Sequence, residues 1–222
     1  FITNIFDINF KFENSFPEYK NRNYNMFEKS VNSAYRILVD TKRTKEELMK
    51  YFNCYEKKIN IYPFDPYLPT VYNEIKDKFK PEDNLKAIGL KENEKFIFYP
   101  AQFWAHKNHK YIIDICTNLK KDNKDDICFV FCGYDNGNLN YIKKLINENN
   151  LNDYVKIFNY LDNFQLISLY LNCHGVIMPS YVGHTTIPMY EAFFFQKNIF
   201  YTKGLSDNSV KEHLTEIDID NT

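Results

Sequence analysis

The chain has 222 residues, 44% hydrophobic and 26% charged. That composition excludes a disordered chain and leaves one large domain or two small ones. Its 28 basic and 29 acidic side chains give a net charge of −1, without the basic excess of a general nucleic-acid binder, and no apolar run approaches the roughly 20 residues that span a bilayer.

In chain order, Phe1 to Phe10 is an apolar, β-rich run, and Pro17-Glu18 marks a loop. Helical periodicity covers Asn25 to Tyr35, with Met26, Phe27, Val31, Ala34 and Tyr35 near one stripe. Arg36 to Asp40 predicts a short buried strand. Thr41 predicts the cap of a helix running to about Phe52, and Lys58 to Pro63 another strand. Pro66, Pro69 and Pro81 mark a linker with a short helix from Val71 to Phe79. Beyond it, strands are predicted at Phe96–Tyr99, Ile127–Cys132, Val155–Phe158, Gly175–Met178 and Asn198–Tyr201. Helices alternate with them over Lys110–Lys120, Asn138–Asn149, Asn163–Asn172 and Pro188–Gln196. Such a βαβα series builds a parallel sheet with helices on both faces, an α/β Rossmann-like fold. The run Ile-Cys-Phe-Val-Phe-Cys is apolar throughout, as a doubly covered sheet requires.

The five cysteines, Cys54, Cys116, Cys128, Cys132 and Cys173, are odd in number, and several lie in apolar runs. They read as buried reduced thiols in a reducing compartment. Cys128 and Cys132 are four apart in a strand-like run, and a zinc site would need a second pair. The opening Phe-Ile-Thr-Asn-Ile-Phe-Asp-Ile-Asn-Phe reads as a strand from inside a domain, so the chain is expected to be part of a longer protein.

Ligands of such sheets sit at the carboxyl ends of the strands. After the strand at Phe96–Tyr99 come the only Trp, Lys107, His106 and His109, just before a helix. A helix N-terminus with a lysine fits a diphosphate, and a solvated loop with Trp104 packed locally fits equally. After Ile127–Cys132 comes Gly133, which permits close backbone approach to a ligand or plain packing. After Gly175–Met178 come Gly183, His184, Thr185, Thr186 and Ile187 ahead of Pro188. Their amides and hydroxyls can cradle phosphate oxygens. Glu191, about one turn into that helix, suits ribose hydroxyls or a plain helix surface.

These segments resemble known ones. Tyr99-Pro-Ala-Gln-Phe-Trp-Ala-His-Lys-Asn-His109 is similar to a signature of family 4 (group 1) retaining glycosyltransferases with the GT-B fold. Cys132-Gly-Tyr-Asp-Asn-Gly-Asn138 with Tyr141-Ile142 resembles the next signature, and Pro179 to Pro188 with Glu191-Ala-Phe the third. Asp7-Ile-Asn9, Phe16-Pro-Glu18 and Phe27-Glu28 resemble the tail of the same enzymes' acceptor-side domain. The subgroup includes mannosyl- and rhamnosyltransferases of surface polysaccharide assembly.

The resemblance implies residues 1–64 as the tail of the N-terminal acceptor-side domain and 65–93 as a linker. It implies 94–222 as a truncated C-terminal donor-binding domain. It implies Lys107 on the donor diphosphate and Glu191, second acid of a Glu-x7-Glu motif, on the ribose. Gln102 stands where many relatives carry Arg, and Gly183 where they carry the first acid. His184 and Thr186 replace the Pro and Asn of the subgroup's Gly-Pro-Thr-Asn run.

The activity so implied is retaining transfer of a hexose from a nucleotide-diphosphate sugar to a glycan or lipid-linked acceptor. No cofactor or metal is expected: no Asp-x-Asp motif lies near these loops, and Asp122, Asp125 and Asp126 read as a charged turn. The expected location is cytoplasmic, at the inner face of the membrane if peripheral contact is made. The Lys-rich helix from Thr41 to Phe52 fits either an anionic surface or solvent. A non-catalytic nucleotide-sugar binding module of the same fold is the alternative, and Gln102 and Gly183 point toward it. An epimerase or phosphorylase of this fold would need side chains not placed here. Base, sugar, linkage and oligomeric state are not encoded in these motifs.

Overall fold

The computed structural model describes residues 1–11, 16–20, 24–63, 65–91, 93–124, 126–183, 187–206 and 208–221. The chain divides into two units, Phe1–Asp65 with Val182–Thr185, and Pro66–Tyr181 with Thr186–Thr222.

The first unit is a parallel sheet of order β1-β2-β3, formed by β1 (Ile2–Ile5), β2 (Arg36–Val39) and β3 (Ile59–Ile61). The connecting helices are α1 (Tyr24–Ser33) and α2 (Lys42–Phe52). Ile8, Val31, Ile37 and Leu48 are fully enclosed at its core. β1 is shorter than the apolar run predicts. Asp7 Oδ1 accepts a hydrogen bond from the Asn9 amide at 3.0 Å, a local turn that competes with the strand, and a 3-10 turn follows at Asn9–Lys11. Thr41 caps α2 as expected, its hydroxyl accepting from the Thr44 amide at 3.1 Å.

The second unit opens with two helices, α3 (Tyr67–Ile75) and α4 (Pro81–Ala87), inside the stretch the three prolines mark as a linker. The prolines do not break these helices because of where they fall. Pro66 is the N-cap of α3, Pro69 lies in its first turn, and Pro81 is the first residue of α4, followed by Glu82 and Asp83. First-turn amides have no intrahelical acceptor, so proline costs nothing there, and acids suit the helix dipole. Leu68 is buried, and Tyr72 packs edge-on to Phe195 at 5.4 Å.

Then come β4 (Phe96–Pro100), α5 (His109–Lys121), β5 (Cys128–Cys132), α6 (Leu139–Glu148), β6 (Val155–Phe158), α7 (Asn163–Asn172), β7 (Gly175–Met178), α8 (Ile187–Phe194) and β8 (Asn198–Thr202). A short β9 (Thr215–Ile217), not foreseen in the sequence, ends the series. All strands are parallel, in the order β6-β5-β4-β7-β8-β9. Every residue of β5 and β7 is buried, which explains their uniformly apolar sequences.

The five cysteines are free and buried. Burial pushes the thiols of Cys116, Cys128, Cys132 and Cys173 up to about 12, so they stay protonated and unreactive. Among the described residues, no helix is long and apolar enough to cross a membrane.

Candidate active site at the switch point

The chain winds outward from β4 through β5 to β6, then returns to pair β7 on the other side of β4. The carboxyl ends of β4 and β7 therefore flank the topological switch point, where ligands of doubly wound sheets bind. A cleft of about 190 Å³ opens there. Gln102, Trp104 and Lys107 line it from the β4 side, and Met178, Ser180 and Pro188 from the β7 side.

The fold builds this cleft from below. Tyr99, on β4 and fully enclosed, donates its phenol proton to the Lys107 carbonyl at 2.6 Å and bonds Ser180 as well. One buried hydroxyl thus sets the height of both walls. The walls are latched at the rim by the Tyr181 amide donating to the His106 carbonyl at 2.9 Å. Asn108, left-handed at φ 54°, caps α5 by accepting from the Tyr111 amide. The Lys107 turn is thereby joined directly to a helix N-terminus.

The loop after β5 reinforces the first wall. Phe103 donates to the Tyr134 carbonyl at 2.9 Å and accepts from the Asn138 amide at 3.2 Å. Gly133 belongs to this packing. A Cβ there would lie 2.3 Å from the Ala101 carbonyl oxygen, so only glycine lets the two loops meet. Gly133 is accounted for by that backbone contact and does not line the cleft.

Gln102 is held by side chains. Trp104 Nε1 donates to its Oε1 at 2.9 Å and Asn136 Nδ2 donates to the same oxygen at 3.0 Å. Indole nitrogen is only a donor, which fixes the oxygen on that side and leaves the amide protons for other acceptors. The Gln102 amide is therefore a neutral donor on this wall.

His109 is fully enclosed between Phe103, stacked at 4.4 Å, and Tyr99 at 4.7 Å. Neither ring nitrogen has a hydrogen-bond partner in proper geometry among the described residues. Burial brings its pKa down to about 3, opposed by the Ala101 carbonyl and helped by the charges of Lys107 and His106. His109 is a neutral packing residue.

Glu191 lies in α8, 8% exposed, with its Oε2 accepting from Tyr170 at 2.7 Å. Burial raises its pKa and the tyrosine bond opposes that rise. It is not part of the cleft lining. Gly183 has φ +97°, a backbone that side-chain-bearing residues rarely adopt, so glycine suits the position. It belongs with the first unit. His184, Thr185 and Thr186 lie outside the described residues, and Ile187 opens α8, 41% exposed. The structure thus brings together Gln102 and Lys107 and sets Glu191 against a tyrosine. Sequence reading missed Tyr99, Asn136, Ser180 and Tyr170. The one legible hint was a hydroxyl-bearing ring inside the apolar Leu169-Tyr170-Leu171 run. Among the described residues, no three His, Cys, Asp or Glu side chains are grouped to hold a metal.

Comparison with solved structures finds the same architecture. WaaG, a glycosyltransferase involved in lipopolysaccharide biosynthesis, matches with a TM-score of 0.72 at 13% identity, over 91% of this chain and 56% of its own. Sucrose-phosphate synthase from Thermosynechococcus elongatus gives 0.71 at 14%, over 91% and 50%. Anabaena HepE in complex with UDP-glucose gives 0.68 at 14%, over 95% and 54%. The chain spans about half the length of these structures. At such identities they show the fold, that of GT-B glycosyltransferases. Comparison with curated protein sequences finds no match. The family model for glycosyl transferases group 1 matches residues 81–214, more than half of the chain, and covers both walls of the cleft; the chain belongs to that family.

Proposed function

We propose that the protein is a retaining hexosyltransferase that moves a sugar from a nucleotide-diphosphate donor to a glycan or lipid-linked acceptor in surface polysaccharide assembly. The observation that carries this reading is the cleft at the switch point, with Lys107 and the Gln102 amide on one wall. HepE holds UDP-glucose on the same fold. Here Lys107 takes the diphosphate, and Glu191 accepts from the ribose. The cleft's charge and fixed donors stabilise the leaving diphosphate without a metal. The anomeric carbon–oxygen bond to the diphosphate breaks, and the acceptor oxygen bonds that carbon on the same face. Its proton passes to the departing phosphate oxygen. Mannose and rhamnose are the proposed sugars. Free, enclosed thiols support a reducing, cytoplasmic setting, with peripheral contact at the inner membrane face. The second reading is a nucleotide-sugar binding module without turnover, favoured by the neutral Gln102 at a position suited to arginine.

Calorimetric titration with UDP, GDP, dTDP and ADP tests the site, alongside Lys107→Ala and Glu191→Ala. One nucleotide binds selectively, and both variants lose it. Transfer measured on the full-length protein separates the readings: Lys107→Ala lowers the rate ~10²–10³-fold. Selective binding with no transfer in the full-length wild type would establish the binding module instead.

A further inference from the structure

We infer that Tyr170 is a positioning residue whose single hydrogen bond aims the Glu191 carboxylate to accept the ribose hydroxyls of the donor; this rests on the donor-site reading above. Tyr170 has no exposure. Its ring stacks on Phe195 at 5.3 Å and 16°, and meets Phe98 edge-on at 5.2 Å and 82°. The ring is therefore clamped between an aromatic on β4 and one just past the end of α8, and its hydroxyl has one place to go. That place is Glu191 Oε2, at 2.7 Å. Phenylalanine would fill the same aromatic slot without a buried hydroxyl to satisfy, so the hydroxyl's use is the bond itself.

A carboxylate has about four acceptor positions on its two oxygens, and the tyrosine occupies one. Oε1 is bound to no described residue. The 2′ and 3′ hydroxyls of a ribose lie on one side of the ring, so a single carboxylate can accept from both. Two conditions apply: the group must be ionised, since a protonated oxygen donates, and its rotamer must be set. Burial opposes the first and is the larger effect, and the tyrosine proton offsets part of it. The clamp on the ring supplies the second, removing side-chain entropy before the ligand arrives.

The test uses the full-length protein and titrates UDP, GDP and ADP against their 2′,3′-dideoxy counterparts, in wild type and Tyr170→Phe, across the acid range. Wild type prefers the ribose form about tenfold. In Tyr170→Phe, ribonucleotide affinity falls roughly tenfold, the dideoxy form changes less than about twofold, and the acid limb of binding moves to higher pH. A parallel loss for ribose and dideoxyribose forms overturns the inference, because a packing defect does not read the sugar hydroxyls. Should the Phe variant fail to fold, 3-fluorotyrosine at 170 keeps the ring with a stronger donor, and the acid limb must move to lower pH. A stationary limb overturns the proposal. Wild type that binds no nucleoside diphosphate overturns the donor-site reading, whereas wild-type binding with unchanged ribose preference in Tyr170→Phe overturns the positioning role alone.

Discussion

The two units follow the same parallel plan, yet they bury their strands differently. In the larger, β5 and β7 are buried at every residue and each lies between two hydrogen-bonded neighbours. In the smaller, β2 alone has two neighbours, and its burial alternates: Ile37 and Val39 are enclosed, Arg36 and Leu38 partly open. A strand covered on both faces fixes the point where its loop begins. The larger unit can therefore hold Lys107 and Ser180 in place through a single interior phenol.

That contrast can be broken by mutation. Phe131→Ala, at a fully enclosed site on β5, costs ~3–5 kcal/mol. In scanning calorimetry it shifts the melting of the larger unit, and Ile37→Ala shifts that of the smaller. A single transition moved equally by both would erase the distinction. Acidification sharpens it next. His109 titrates near 3 in the folded chain against an ordinary value of 6.5, so its proton is taken up by the unfolded state. The contribution is complete above the ordinary value and is lost as pH falls from there toward 3, amounting to ~2–3 kcal/mol at about pH 4.5. Urea melts of His109→Phe lack that part of the acid limb.

Gly133→Ala comes third, at ~1–3 kcal/mol, because the new methyl meets backbone that must shift. Nucleotide affinity falls with it, since Ala101 and Gln102 are what it displaces. Removal of the exposed Lys110–Asp114 pair on α5 by Lys110→Ala changes stability by under ~0.5 kcal/mol, and thermal melts check it.

How much was legible follows the same divide. Val155–Phe158, Asn163–Asn172 and Gly175–Met178 fall at their expected bounds, and for Gly175–Met178 the reason is plain: in a strand buried at every residue, burial and sequence are one signal. The helix at Pro81–Ala87 was hidden by its proline, although Pro with two acids is itself a helix start. Thr215–Ile217 is an edge strand of three residues, half-exposed, with no periodicity to read. At the site, Lys107 and Gln102 were visible because they lie in the loop between a strand and the next helix. The Tyr170–Glu191 bond joins residues 21 apart on different helices, and only tertiary packing reveals it. Gly133 leaves open in sequence whether its close approach serves a ligand or packing, and a Cβ there would meet the Ala101 backbone.

The rim latch from the Tyr181 amide to the His106 carbonyl runs from main chain to main chain. Its strength does not depend on which side chains stand at 106 and 181, so both positions can drift through almost any residue without unfastening the cleft. Only proline at 181, which has no amide proton, would undo it. Such a fastening lets descendants of one ancestor change what the rim presents to a substrate while inheriting an unaltered chassis.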